Sequence, residues 1–250
     1  MRSTIALVSI VSALLFSCEP SEKFSIDELT IVTKDAKIMS DWYAASFGFM
    51  DSKDYSLLYH DNLTIKLVEN PEAKRRDSLK KDYNIRFVPG IHKFGFATNQ
   101  FDELIDHLKS NGARFHGSVV KDSILNTRMI IVKDPDNNNI QIFESAQPDR
   151  LKPNFFCLIT ENVGEQEKWY QVNFPIEQSH RLDQPENDVY IRLLTGQQVA
   201  IELLQVDHTN IMDELDYPNI TGFYSMEVKG ANVSFEYDHD GNKIFTPPTK

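Results

Sequence analysis

A repeated unit of secondary structure constrains the fold of this chain more than any local feature. In its first copy, residues 26–33 (IDELTIVT) predict a strand, and residues 35–47 carry apolar side chains at helical spacing, with Gly48 placed to end the helix. Three further strands are predicted, at 49–52, 55–60 and 63–69. The unit is therefore one strand, one helix and a three-stranded meander, written βαβββ below and called a module.

The same order of elements returns after the charged connector 71–86. In the second module Asp102 can N-cap a helix that Gly112 ends. Its strands are predicted at 90–98, 115–120, 127–133 and 139–144. The third module begins at NFFCLIT, has a helix near 164–173, and ends with the strands DVYIRLL and QVAIELLQV. Such internal similarity outweighs local propensity in deciding the fold class.

The fourth module is incomplete. The segment GFYSMEVKG matches an opening strand and YDHDGNKIF matches a turn with a closing strand, but the residues between them are too few for a helix. We therefore predict an α+β fold of four modules in which the fourth lacks its helix. One sheet should be uncovered on one face, or shortened.

The first residues predict export. MRSTIALVSIVSALLFSC has one basic residue followed by an apolar run, which indicates a signal peptide over residues 1–17 that is too short to span a membrane comfortably. Leu15-Phe16-Ser17-Cys18 resembles a bacterial lipobox, so Cys18 is the expected lipid attachment site and residues 18–25 the tether. Acyl chains would anchor the protein stably to a membrane of the bacterial cell envelope. The alternative is a cleaved signal that releases a soluble protein.

Charge and cysteine content narrow the function further. A formal net charge of −11 would repel phosphate backbones, so nucleic acid is not an expected partner. The basic residues between 74 and 81 are expected to form a solvated loop face. They are Lys74, Arg75, Arg76, Lys80 and Lys81. Cys157 has no partner if Cys18 carries lipid, and its apolar surroundings favour a small core residue over a nucleophile.

Three groups of motifs resemble the vicinal oxygen chelate superfamily, which includes glyoxalase I, bleomycin-resistance proteins and extradiol dioxygenases. They are ELTIVTKD with WYAASFGF, GIHKFGFAT with FDELIDHLKSNGARF, and VKDPDNNNIQIFE. The resemblance implies tandem βαβββ modules that form curved mixed sheets around a cavity, with helices outside. It implies a first paired-module domain over 26–148 and a second, degenerate one over 152–246.

The resemblance also places the metal-ligand positions of the family's enzymes. In the first domain they fall on Glu28, Lys66, Lys93 and Gln141, and only Glu28 is a good ligand for a divalent ion. Two ammonium groups would repel a dication, so we expect these four residues to bind a small polar or anionic molecule with no metal and no other cofactor. The alternative is an internal ion-pair network that only fills the cavity.

The second domain is predicted to be structural or to hold an apolar pocket. Its corresponding positions are Phe155, Glu202, Ser225 and Phe245. A one-residue shift of register would point His92 rather than Lys93 into the cavity and, with Glu28, would restore a metal site.

Three functions remain open from the sequence. The first is metal-independent binding of a small molecule by a membrane-anchored protein. The second is a metal-dependent glyoxalase-like or dioxygenase-like enzyme, in which Glu28 and His92 hold the ion. The third is a module with a vestigial cavity that binds another envelope protein, or a second copy of itself as a homodimer, through the uncovered sheet.

Overall fold

The computed structural model describes residues 24–147, 151–196, 198–206, 215–231 and 234–246. The predicted signal peptide and Cys18 lie outside these residues. The helices are α1 (Ala36–Phe47), α2 (Arg76–Asp82), α3 (Phe101–Ser110) and α4 (Val163–Asn173). The strands are β1 (Ser25–Thr33), β2 (Met50–Asp51), β3 (Leu57–His60), β4 (Leu63–Glu69), β5 (Gly90–Thr98), β6 (Arg114–Asp122), β7 (Thr127–Lys133), β8 (Asn139–Glu144), β9 (Lys152–Ile159), β10 (Gln178–Arg181), β11 (Val189–Thr195), β12 (Ala200–Val206), β13 (Gly222–Lys229) and β14 (Lys243–Phe245).

Local chemistry sets the ends of the helices. Asp35 caps α1 by accepting a hydrogen bond from the backbone N–H of Ile38 at 2.9 Å, and Gly48 ends the helix in the left-handed region at φ 76°, as predicted. Asn162 caps α4 in the same way. The predicted cap of α3 was wrong: the helix begins one residue before Asp102, whose carboxylate instead pairs with Arg128 at 2.8 Å.

The strands form two sheets. One has six strands in the order β14-β13-β1-β4-β3-β2, and the other has eight in the order β10-β11-β12-β9-β5-β8-β7-β6. The first module thus shares a sheet with the fourth, and the second shares a sheet with the third. The sequence had led us to expect the first with the second and the third with the fourth. Each of the two expected domains therefore contributes to both sheets.

The two sheets are built alike at their centres. The opening strands of the paired modules run antiparallel, β1 against β13 and β5 against β9. Each opening strand has the closing strand of its own module on its other side, in parallel: β4, β8, β12 or β14. Every sheet thus has two opening and two closing strands side by side. These are the strands that carry the candidate site.

One hydrophobic core joins one face of each sheet to three helices. Leu29 and Phe94 come from the six-stranded and eight-stranded sheets, while Tyr43, Leu108 and Tyr170 come from α1, α3 and α4. A second apolar cluster covers the opposite face of the eight-stranded sheet. We call the faces turned away from the main core the concave faces.

The fourth module lacks a helix between β13 and β14 over the residues that the structure describes there, as predicted. The ring of Phe235 packs on Trp169 and Phe174 of the third module, with ring centroids 4.7 and 5.5 Å apart. The following turn repeats one in the second module: Asp238 accepts the backbone N–H of Asn242 at 2.8 Å. This segment closes the module without a helix.

The connector before β5 differs from its prediction. It contains α2, and Arg76 is not fully solvated, because its guanidinium donates to the carbonyl oxygens of Pro89, at 3.2 Å, and of Ile91. No helix in the described part of the chain is long and apolar enough to cross a bilayer.

Candidate functional site

An ion pair lies at the centre of the concave face of the eight-stranded sheet. The strand register places Asn139, Lys93, Cys157 and Glu202 in one row on neighbouring strands. Lys93 Nζ lies 2.7 Å from Glu202 Oε1, and the side chains are only 13% and 18% exposed. The two charges therefore compensate each other in a region that water reaches poorly.

Two pKa shifts follow from this arrangement. Burial acts to lower the pKa of Lys93, but the Glu202 carboxylate outweighs it, so the pKa is raised and the ammonium stays charged. Burial, followed by the charge of Glu202, raises the pKa of Cys157 well above its usual value. The thiol donates to Glu202 Oε1 at 3.1 Å. Cys157 is thus a buried hydrogen-bond donor and not an activated nucleophile.

Phe155 fills the next row of the same face. Its ring lies against the Phe143 ring at 5.1 Å and under Lys93 Nζ at 5.5 Å from its centroid. The ring fits because Gly95 has no side chain: a Cβ there would come within 2.9 Å of both Gln141 O and Phe155 Cβ. An aromatic ring therefore occupies the middle of the curved sheet.

Two amide oxygens near this ring lack partners. Gln141 is 3% exposed; its Nε2 donates only weakly, to the sulfur of Met129 at 3.3 Å, and its buried Oε1 accepts no hydrogen bond from the described residues. The buried Oδ1 of Asn154 is likewise unpartnered. Buried acceptors without donors cost about 1–3 kcal/mol each, so both oxygens lower the stability of the fold locally.

Two β-bulges aim side chains toward this face. In the pairing of β5 with β9, one extra residue stands at His92 and another at Asn154. His92 contacts Asn139 Nδ2 at 3.3 Å and the Phe87 ring at 5.1 Å. Burial, together with Lys93 and three other cations, lowers the pKa of His92 well below 6.5, so its imidazole is neutral at pH 7. Both His92 and Lys93 reach the site, but only Lys93 meets a carboxylate.

A cavity of about 520 Å³ opens beside Phe143 at the far end of the same face. Asn154, Ala97 and Ala200 form part of its wall, and the β6–β7 hairpin contributes residues 125–127. Glu144 is the charged side chain in the lining, and Arg128 holds it at 2.7 Å. The cavity is within the size range of small-molecule sites.

The four residues predicted to bind a ligand together are divided between the two sheets. Lys93 and Gln141 lie in the eight-stranded sheet, whereas Glu28 and Lys66 lie in the six-stranded one. The expectation that these four residues form one site was therefore wrong, because the modules pair in a different order. The carboxylate partner of Lys93 is Glu202.

The six-stranded sheet has a concave face of different character. Thr30 pairs in register with Lys66 and Ser225, and Glu28 pairs with Glu227. Lys66 is exposed and Glu28 partly buried, and neither forms an ion pair among the described residues. Burial, then the charges of Glu28 and of Asp27, raises the pKa of Glu227. In this sheet the carboxylates of Glu28 and Glu227 lie on neighbouring strands, whereas the eight-stranded sheet pairs an ammonium with a carboxylate.

Comparison with known proteins agrees with this architecture. Residues 25–142 match the model of the Glyoxalase/Bleomycin resistance protein/Dioxygenase superfamily. The matched part, the first half of the chain, is therefore similar to a domain of that superfamily. A search of curated protein sequences finds no match.

Solved structures show how far the fold extends. Glyoxalase I from Zea mays superposes with a TM-score of 0.61 at 13% identity, over 90% of this chain and 92% of that one. A putative dioxygenase from Bacillus subtilis gives 0.50 at 13% identity, over 86% of this chain and 71% of that one. At these identities the likeness establishes the α+β fold with curled mixed sheets, and the fold spans both halves of the chain.

The residues at the superfamily's metal positions do not fit a divalent ion. In the eight-stranded sheet these positions hold Lys93, Gln141, Phe155 and Glu202, which is one carboxylate already paired with an ammonium. The four corresponding positions of the six-stranded sheet also supply one carboxylate, that of Glu28. No group of three His, Cys, Asp or Glu side chains suited to a metal occurs in the described part of the chain.

The contributions of Glu202 and Phe155 were missed by the sequence analysis. Both were assigned to a half expected to be structural or to hold an apolar pocket, because the pairing of modules was assumed to follow chain order. The signal available was charge balance: Lys93 needed a buried anion, and QVAIELLQV places Glu202 within a closing strand.

Proposed function

We propose that this protein binds a small, uncharged polar molecule, without a metal, on the concave face of its eight-stranded sheet. The observation that carries the proposal is the cavity of about 520 Å³, whose wall combines the side chain of Asn154 with the ring of Phe143. The amide favours a ligand with polar groups that can hydrogen-bond, and the ring favours one with an apolar face.

The charges favour an uncharged ligand over an anionic one. Lys93 is compensated by Glu202 at 2.7 Å, so it offers no free positive charge. At the cavity wall Arg128 is shared between Glu144 and Asp102, which leaves one excess negative charge. An anion would be repelled there. This sharpens the expectation of a polar or anionic ligand to a polar one.

Binding can be tested by ligand-observed NMR with small neutral amides and polyols, each beside its carboxylate analogue. Neutral compounds should bind, and Asn154→Ala should weaken their binding about tenfold or more, since a lost buried hydrogen bond costs about 1–3 kcal/mol. Thr64→Ala, on the concave face of the other sheet, is the matched control and should leave binding unchanged. Preference for carboxylates, or indifference to Asn154→Ala, would contradict the proposal.

Elemental analysis of protein purified without chelators tests the metal-independent part. The proposal expects no stoichiometric divalent metal, because each set of four positions supplies one carboxylate. One tightly held zinc, iron or manganese per chain would favour the enzymatic alternative instead.

We further propose export and anchoring to the bacterial cell envelope through a lipidated Cys18. The support is Leu15-Phe16-Ser17-Cys18 after the apolar run. Mass spectrometry of the mature N-terminus should find an acylated cysteine, and Cys18→Ser should move the protein out of the membrane fraction. Retention of that variant in the membrane would contradict anchoring at Cys18. Cross-linking in membranes tests the alternative in which the protein binds an envelope protein or a second copy of itself.

A further inference from the structure

A second, smaller cavity of about 180 Å³ lies outside the site described above. It is enclosed by β13, the 3₁₀ turn Tyr217–Asn219, the turn before β14, and the first residues of β5. Three tyrosines line it: Tyr217, Tyr224 and Tyr237. We call this cavity the tyrosine cleft.

The backbone is shaped to bring these rings together. Tyr224 is the extra residue of a bulge in β13, where Ser225 pairs with Thr30 but Phe223 pairs with Ile31. Gly90 has φ +96°, and a Cβ there would lie 3.1 Å from the Tyr217 ring. A glycine in the left-handed region thus lets the ring pack directly against the start of β5.

Tyr217 presents its ring, and not its hydroxyl, to the cleft. Its Oη is buried, forms no hydrogen bond with the described residues, and would lie 3.5 Å from a Cβ built on Gly90. Burial raises the pKa of Tyr217 to about 12, so the phenol is protonated at neutral pH. Tyr217 therefore contributes an aromatic surface to the cleft.

The cleft carries charges of both signs. Lys243 Nζ lies 5.4 Å from the centroid of the Tyr224 ring, and Asp216 also lines the cleft. The two charges compensate each other, so the lining favours neither a cation nor an anion. A purely apolar ring would meet Asp216 and Lys243 without pairing with either side chain. We therefore expect an uncharged ligand that has both an apolar face and hydroxyl groups.

We propose that the tyrosine cleft binds one pyranose ring, as a free monosaccharide or as the end of a saccharide chain. A pyranose offers C–H groups on its faces, which stack on aromatic rings, and hydroxyls around its edge, which can pair with Asp216 and Lys243. Drug-sized sites are about 300–1,000 Å³, so a cavity of 180 Å³ is suited to a single ring.

Saturation-transfer NMR can test this with methyl glycosides of glucose, galactose and N-acetylglucosamine. At least one should bind, with transfer to the ring C–H protons. Tyr237→Ala should reduce affinity about tenfold or more, and Asp216→Ala, which removes a hydrogen-bond acceptor from the cleft wall, should reduce it about fivefold or more. Tyr59→Ala, an exposed tyrosine on β3, is the matched control and should change nothing.

Tetramethylammonium and phenol serve as opposing probes. If either binds in the cleft while no glycoside does, or if nothing binds, the assignment is overturned. It is also overturned if the glycosides bind equally well to Tyr237→Ala. Methyl glycosides are neutral polyols that the larger cavity can also bind, so the two sites are separated by comparing variants. The glycoside binding that Tyr237→Ala removes should persist in Asn154→Ala, and its loss in Asn154→Ala would place the glycoside in the larger cavity and overturn the assignment.

Discussion

The two sheets are built alike, but they differ in how the charged side chains at their centres are paired. Each has bulges at the same two register positions: Asp27 and Tyr224 in one sheet match His92 and Asn154 in the other. The eight-stranded sheet buries a matched ion pair beside an aromatic ring, whereas the six-stranded sheet leaves Glu28 next to Glu227 on a more open face. The comparison shows that the pairing of modules, and not the sequence of one module alone, decides whether a charged side chain on this face finds a partner of opposite charge.

Breaking the buried pair should have the largest effect. Glu202→Gln removes the counter-charge of an ammonium that is only 13% exposed, so unfolding free energy should fall by about 2–4 kcal/mol in urea denaturation. The double variant Lys93→Met/Glu202→Leu should recover most of the loss, because no unpaired charge remains. A loss below about 0.5 kcal/mol for the single variant would show that solvent screens the pair.

The ring at the centre of the eight-stranded sheet provides the next test. Gly95→Ala forces a Cβ within 2.9 Å of the backbone oxygen of Gln141, so it should destabilise the protein by about 1–3 kcal/mol. Thr30 holds the matching register position in the six-stranded sheet, and Thr30→Ala should cost about 1 kcal/mol or less. If Gly95→Ala and Thr30→Ala lowered stability equally in thermal or urea unfolding, Phe155 would have moved aside to accept the added Cβ.

Two buried turns, one in each sheet, should respond equally to pH. Burial raises the pKa of Asp134 and of Asp238 to about 6, against the hydrogen bonds from Asn138 and Asn242, which lower it. Folding therefore favours the protonated form. The stabilising contribution is fully present below the unfolded pKa of 3.8 and is lost as pH rises through about 6.

The measurement is the pH dependence of unfolding free energy in Asp134→Asn and Asp238→Asn relative to the unaltered protein. Between about pH 5 and pH 7, each variant should gain about 1 kcal/mol in relative stability. Each variant must be compared with the unaltered protein at the same pH, because His92, whose pKa is lowered, makes stability rise with pH and so opposes the effect of the two aspartates. Parallel curves for variant and parent would contradict the shift.

Much of the fold was predictable because its signals are local. Asp35 and Gly48 mark the ends of α1, and the DPDNN and DHDGN turns place Asn137 and Gly241 at the same left-handed position, φ 72° and 78°. The absence of a helix from the fourth module was predictable because too few residues separate its opening strand from its closing turn. These features need no knowledge of which strands become neighbours.

The site was less predictable because it depends on contacts between modules. The pairing of β5 with β9 brings Lys93 to Glu202, and nothing within either strand specifies the other. The bulges that place His92 and Asn154 also arise only in the paired sheet. Gly95 was the one local hint, since a glycine inside a strand often marks close approach of another group.

The smallest expected effect concerns Glu28, the residue predicted from the sequence as the best metal ligand. Because it lies beside Glu227 and forms no ion pair among the described residues, Glu28→Gln should change unfolding free energy by only a few tenths of a kcal/mol. It should, however, lower the pKa of Glu227 toward its ordinary value, since the charge of Glu28 is among the causes of the raised pKa. Carbon-detected NMR titration of the Glu227 carboxyl measures this directly, and Lys66→Met is a control that should move that pKa little. A loss above about 1 kcal/mol in Glu28→Gln would show that Glu28 has a stabilising partner and that the two concave faces are more alike than their geometry indicates.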